Sequence, residues 1–214
     1  MEKPKSLKKE VYDLVFMKIF KNEFPVDDIL KEKELAAMFS VSRAPVREAL
    51  IELCNENVLR NIPRAGYQII RLIHKDIQNA TEIRKILELT AAERSFNNIK
   101  KEDIAFLEKE FPPQIKPDEL DKIYAWYTNN INFHLYLCSF ANNDLMSAML
   151  EKMLIILWRG FSQNYQSGYP FSNKQKYTHN KIIQSLKDGD KKLFLKELES
   201  DITAMFESYA TLNL

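Results

Sequence analysis

The stretch "AAMFSVSRAPVREALIELC", Ala36 to Cys54, reads as the end of one helix, a tight turn at Ser40–Val41 and a second helix over about residues 43–55. In the second helix Val46, Ala49, Leu50 and Leu53 recur at three- and four-residue spacing and form an inward stripe. Pro45 stands just inside its start. A proline costs about 3 kcal/mol in a helix interior but little in the first turn, where its missing N–H has no partner anyway. With Ser42 as N-cap, Pro45 is the third helical residue, so the serine oxygen is expected to cap the N–H of Ala44. Arg43 and Arg47 lie four residues apart and share the face away from Val46 and Leu50. Guanidinium groups suit bidentate contact with guanine or phosphate, and a serine at a helix N-terminus suits a phosphate. The pattern predicts a DNA-reading helix whose first residues meet base edges.

Working outward, residues 6–22 have a helical period, with Leu7, Val11, Leu14, Val15 and Ile19 expected to face the core. Pro25 and the Asp27–Asp28 pair end it. A short helix follows over about 32–39, with Leu35, Met38 and Phe39 on its apolar side. After the arginine-bearing helix, "VLRNI" and "YQIIRL" are strand-like and joined by "PRAG", which predicts a β-hairpin. Arg64 and the flexible Gly66 then stand where a wing would meet a minor groove. Helix, helix, turn, helix and hairpin is the layout of a winged helix-turn-helix. Beyond "IHKDI" at 73–77 only helical segments are predicted, at about 75–98, 101–111, 117–140, 143–167, 172–187 and 190–211. The expected fold is mostly α: a winged helix-turn-helix over 1–73 and an all-helical bundle over 74–214. His74 falls at the junction and is read as a structural or hinge residue.

The bulk numbers narrow the function classes. The 214 residues carry a net charge of +1, split unevenly: 14 Lys/Arg against 11 Asp/Glu in residues 1–75, and 17 against 19 in the remainder. This favours an anionic partner for the N-terminal part, contacted by placed side chains rather than by a polybasic tail. Cys54 and Cys138 form no CxxC pair and suit two reduced thiols. "MEKPKSLKKE" lacks the apolar core of a signal peptide, and the longest apolar run, "MLIILW" at 153–158, is too short to span a bilayer. A cytoplasmic protein without a membrane partner is expected. There is no GxGxxG motif or phosphate-binding loop, and no Ser-His-Asp order.

"LKEKELAAMFSVSRAPVREALIELCNENVLRNIPRAGYQI" resembles the N-terminal domain of GntR-family bacterial transcription regulators, whose pattern runs roughly E-x-x-L-A-x-x-x-x-V-S-R-x-P-V-R-E-A-L. The resemblance implies that Lys33, Arg43 and Arg47 contact DNA, that Ser42, Ala44 and Pro45 lie against backbone or bases, and that Arg64 and Gly66 form the wing contact. The chain departs from the pattern near Asn22 and near Val26–Asp27, where the family has a glycine and a Pro-Gly, and at Lys33, where it usually has an arginine. "HKDIQNATEIRKILELTAAERS" is similar to the start of the FCD class of these regulators, whose C-terminal domain is a helical effector sensor. Arg84 and Glu88 match the class pattern there. They are read either as a surface i,i+4 ion pair or, for Arg84, as a pocket arginine that binds an effector carboxylate.

Many FCD domains hold a divalent metal on one Asp and three His. The resemblance maps that set onto Asn130, His134, His179 and Asp201. Spacing supports convergence independently. Positions 130 and 134 share a helical face, and 179 and 201 are equidistant from residue 190 in the turn of a helical hairpin. Two imidazoles and a carboxylate suit a zinc, nickel or manganese ion, whereas Asn130 offers only a neutral carbonyl. The alternative is a former metal pocket that binds an effector directly. The expected function is a homodimeric transcription regulator that binds a palindromic operator on double-stranded DNA and responds to a small organic acid. It is not read as an enzyme. Two other readings are a metal-dependent enzyme fused to a DNA-binding module and a DNA-binder with a silent helical domain.

Overall fold

A computed structural model of the chain describes residues 6–112, 120–166 and 179–210, without the side chains of 120–124, 164–166 and 205–210. It divides into two compact units, one formed by Met1–Leu72 with Phe161–Ser167, the other by Ile73–Gly160 with Gly168–Leu214.

In the first unit, α1 (Leu7–Phe20) is capped by the Ser6 hydroxyl, which accepts from the Lys9 N–H. It is followed by β1 (Ile29–Leu30), α2 (Glu32–Met38), α3 (Arg43–Asn55), β2 (Leu59–Ile62) and β3 (Gly66–Ile69). The predicted α3 stripe is realised: Val46, Ala49, Leu50 and Leu53 are all fully buried. On α1 the buried face is Val11, Tyr12, Val15, Phe16 and Phe20, while Leu7 and Leu14 are about half exposed. The larger aromatic rings, one residue further round the helix, turn the face away from the predicted Leu7–Leu14 line. On α2, Leu35 is buried as expected but Met38 is exposed.

The strands form one antiparallel sheet in the order β1-β3-β2, with Ile29 opposite Gln68 and Ile62 opposite Gly66. The two-residue β1 was not expected from sequence, because Ile29–Leu30 is too short to show a period of two. The hairpin loop is Pro63–Arg64–Ala65, and its left-handed residue is Arg64, at φ 66°. Gly66 is the first residue of β3, at φ 138°. A Cβ there would stand 2.5 Å from the Leu30 carbonyl oxygen, so glycine lets β1 close on β3. Asn22 (φ 56°) and Asp27 (φ 77°) also adopt positive φ. These are the positions where the chain departs from the glycines of the GntR pattern, and Asn and Asp are the residues that best tolerate that conformation.

The second unit is helical: α4 (His74–Ser95), with a 3₁₀ turn at Phe96–Asn98, then α5 (Lys101–Glu110), α6 (Leu120–Ser139), α7 (Asp144–Gln166) up to Gly160, α8 (His179–Lys187) and α9 (Lys191–Ala210). The early parts of the predicted 117–140 and 172–187 helices lie outside the described residues. Carboxylates at the third helical position secure two starts: Asp76 accepts from the Ile73 N–H at 2.9 Å, and Asp103 from the Lys100 N–H at 2.8 Å. At α9 the arrangement is reversed: Asp190 precedes the helix and its side chain accepts from the Leu193 N–H. The core joins Ala92 of α4, Leu107 of α5, Phe133 and Leu137 of α6, Ile182 and Leu186 of α8, and Phe194, Leu198 and Ile202 of α9. Among the described residues no helix is long and apolar enough to cross a membrane.

Gly66→Ala should destabilise the first unit by about 2 kcal/mol or more, through strain and the clash with Leu30. Gly189→Ala, at φ 67° with open space around it, should cost about 1 kcal/mol. Denaturant unfolding of the two variants checks both figures, and equal losses would refute the role given to the Leu30 carbonyl.

Candidate functional site

The first candidate surface is the start of α3. Ser42 is the N-cap in an extended conformation, but its side chain makes no capping hydrogen bond. The expected bond to Ala44 is therefore not formed. Pro45 has removed the third-position donor, which an N-cap oxygen often uses, and the serine hydroxyl is left facing outward. Ser42, Arg43, Ala44 and Arg47 are exposed and Pro45 is half-buried, so the turn projects from the fully buried Val46, Ala49 and Leu50. Lys33 is exposed on α2, and Arg64 is exposed at the hairpin tip. Gly66 is half-buried and committed to the β1 contact, so the expected flexible wing position is a strand residue.

Sequence reasoning missed the partners of Arg47. Its Nε donates to Glu32 Oε1 at 3.0 Å and its Nη2 to Glu32 Oε2 at 2.9 Å. The Tyr67 hydroxyl donates to the same Oε1 at 3.2 Å. Hydrogen bonding from Arg47 holds the Glu32 carboxyl below its ordinary pKa. No local spacing signals this, because the three residues come from α2, α3 and β3.

The second candidate is buried among α4, α6, α8 and α9. His134, His179 and Asp201 each place one ligand atom within 4.8 Å of the others. Asn130 joins them, with Nδ2 3.1 Å from His179 Nε2. The structure thus brings together all four residues that spacing and resemblance had grouped. His74, half-buried at the first turn of α4, is not among them. Phe133 stacks on His179 with ring centroids 3.8 Å apart.

Arg84 and Glu88 belong to the same cluster. The surface reading of this pair is overturned: their side chains are 1% and 2% exposed, joined from Arg84 Nε to Glu88 Oε1 at 2.5 Å. The other Glu88 oxygen lies 2.7 Å from His134 Nδ1. A carboxylate there accepts the Nδ1 proton and turns Nε2 of His134 inward, toward Asp201 Oδ2 at 3.1 Å. That approach lies off the line of a good hydrogen bond, and among the described residues Nε2 is a buried ring nitrogen without one. Glu88 was visible in the sequence only as the i+4 neighbour of Arg84. The signal that marks it is a polar pair on the Ile77, Ala80, Ala91, Ala92 face of α4, all four of which are buried.

Electrostatics follow from this geometry. Burial opposes charge on every member, and the pairing decides the outcome. For Glu88 burial is outweighed by Arg84 and His134, and the carboxyl stays below its usual range. Burial of Asp201 is outweighed by its contacts with His134 and His179, and its pKa is held well down. For Arg84, Glu88 and Asp201 overcome burial and raise the pKa. For His134, the Glu88 and Asp201 carboxylates overcome it and raise the imidazole above its ordinary value. His179 is different: burial prevails and its pKa is pushed down to about 3, so it is neutral. A neutral imidazole, an ionised carboxylate and an inward-facing His134 Nε2 make a donor set that fits one divalent ion.

Residues 7–69 match the family model of bacterial regulatory proteins of the gntR family, and residues 76–200 match that of the FCD domain. The HTH-type transcriptional regulator YdhC of Bacillus subtilis is 29% identical over 158 residues, covering 71% of this chain and 68% of that protein. The gluconate operon transcriptional repressor of B. subtilis is 29% identical over 185 residues, covering 81% and 72%. Among solved structures, E. coli McbR/YncC has the same fold, with a TM-score of 0.75 at 21% identity over 96% of this chain and 99% of that one. A winged helix-turn-helix matched by one model, followed by a helical unit matched by the other, places this chain in the GntR family of bacterial transcriptional regulators, in its FCD class.

Proposed function

We propose that this protein is a sequence-specific DNA-binding regulator whose helical unit senses a small organic acid. The observation that carries the DNA half is the exposed Ser42–Arg47 turn mounted on the buried α3 stripe. Arg43 and Arg47 read base edges. Ser42, Ala44 and Pro45 lie along the backbone or bases, Lys33 and Arg64 meet phosphate or groove, and the Gly66 backbone supports the wing. Two copies in a homodimer present two such helices to the halves of a palindromic operator.

The charge count of the buried cluster supports the sensing half. Arg84 and His134, when protonated, balance the Glu88 and Asp201 carboxylates that they meet. His134, His179 and Asp201 hold one zinc, nickel or manganese ion, with Asn130 orienting His179. The ion supplies a Lewis-acid site for a carboxylate oxygen. With the His134 proton released, the cluster then carries a net +1, which a carboxylate offsets, and Arg84 adds a second cation nearby. One relative is named for the operon of gluconate, a sugar acid of the same chemical class. The effector changes operator affinity only through unequal affinity for two arrangements of the protein.

Arg43→Ala and Arg47→Ala should each weaken binding by about 1–3 kcal/mol to a duplex selected from a random library, and relax the preference at one base position. Lys33→Ala should weaken all duplexes alike. Fluorescence anisotropy measures both effects, and two folded arginine variants with wild-type affinity would end the assignment.

Elemental mass spectrometry of gently purified protein should find near-stoichiometric zinc, nickel or manganese, lost in His134→Ala and in His179→Ala and largely kept in Asn130→Ala. Equal metal content in wild type and His134→Ala would remove the ion from the proposal. Operator affinity that is unchanged across a panel of carboxylic acids would remove the effector class.

A further inference from the structure

We infer that Glu32 is a positioning residue that pre-aims Arg47 and suppresses its attraction to DNA of the wrong sequence. The inference rests on the reading of α3 as the DNA-contacting helix. Glu32 is the anchored partner of the pair: it is the first residue of α2, and it accepts a hydrogen bond from the hydroxyl of Tyr67, a buried side chain of β3. Its side chain is 22% exposed against 59% for Arg47. The carboxylate engages the side of the guanidinium, Nε and Nη2. Nη1 has no hydrogen-bond partner among the described residues. The Nη1–Nη2 end of the fork is the other edge able to form two parallel hydrogen bonds with guanine O6 and N7.

An ion pair this exposed adds little to stability, so the geometry calls for another consequence. Two follow. An unheld arginine loses extensive rotamer freedom on docking, whereas Arg47 has already lost most of it in the free protein. The carboxylate also cancels the arginine charge as seen by a distant phosphate, which weakens the sequence-independent part of DNA binding. Both effects act in the same direction on the ratio of specific to non-specific affinity.

Glu32→Gln and Glu32→Asp separate the two. The test uses the full-length protein, its best duplex from random-library selection with wild type, and a scrambled duplex of the same length. Glu32→Gln should lower the ratio of the two affinities about tenfold, the scale set by re-freezing an arginine side chain. It should also steepen the dependence of log affinity on log salt by about one, the slope of one added phosphate contact. Glu32→Asp keeps the charge but is one methylene too short for the fork, so it should lower the ratio while leaving the salt slope at the wild-type value. Thermal unfolding confirms that each variant is folded. An unchanged ratio in folded Glu32→Gln and Glu32→Asp overturns the inference. A merely structural glutamate would lower both affinities together and leave the ratio alone, which also overturns it. If wild type enriches no sequence at all, the DNA reading itself falls, and the inference with it.

Discussion

The Glu88 carboxylate is the interaction on which the helical unit turns. It sits on α4, receives Arg84 from the same helix and His134 from α6, and has almost no access to solvent. Removing a carboxylate from water costs several kcal/mol, which only well-placed partners offset. Once Glu88 is buried, its two oxygens dictate what lies on each side. One side must be a cation on α4. The other must be a donor from α6, and through His134 the constraint passes to Asp201 on α9. A chain of alternating charge thus ties three helices at one level, so a slip of α6 or α9 by one turn would strand a charge in an apolar core.

The same constraint explains why the two histidines differ chemically although both are buried. His134 lies between two carboxylates, which overcome burial and raise its pKa, and the Glu88 contact orients its ring. His179 stacks on Phe133 and meets the uncharged amide of Asn130, and burial outweighs the pull of the nearby Asp201 carboxylate. One site therefore contains an imidazole kept neutral by burial and another whose affinity for a proton is raised by two carboxylates. Relative to the Asp and three His of the family pattern, the carboxylate has moved from α6 to α9. The set keeps one anion, which still faces the His134 nitrogen.

Much of this was legible in the sequence where a repeat or a count carries geometry. The α3 stripe, the hairpin and the convergence of residues 179 and 201 follow from helical period and from distance to a turn. What could not be read has a common physical cause. On α1 a leucine line does not mark the core face, because burial follows Tyr12, Phe16 and Phe20. The core face of α4 carries Arg84 and Glu88, while Ile83 and Ile86 are exposed, so hydrophobicity points the wrong way. Strand β1, the Glu32–Arg47 fork and the Glu88–His134 bond join elements far apart in sequence, and no local pattern encodes them. Gly66 serves close packing rather than flexibility. What the fold needs from it is room for the Leu30 carbonyl.

The two arginine–glutamate pairs show how surroundings assign different roles to the same chemistry. Arg84–Glu88 and Arg47–Glu32 both engage the guanidinium Nε, the second pair through Nη2 as well. With side chains 1% and 2% exposed, the first pair has no competing solvent, and neither partner can leave without abandoning a bare charge. It is a fixed part of the scaffold. In the second pair Arg47 is more than half exposed, water screens the attraction several-fold more strongly, and the Nη1 edge of the guanidinium stays open. An arginine there is held in place without being locked. Dielectric therefore separates the pair that organises the pocket from the pair that orients an exposed arginine.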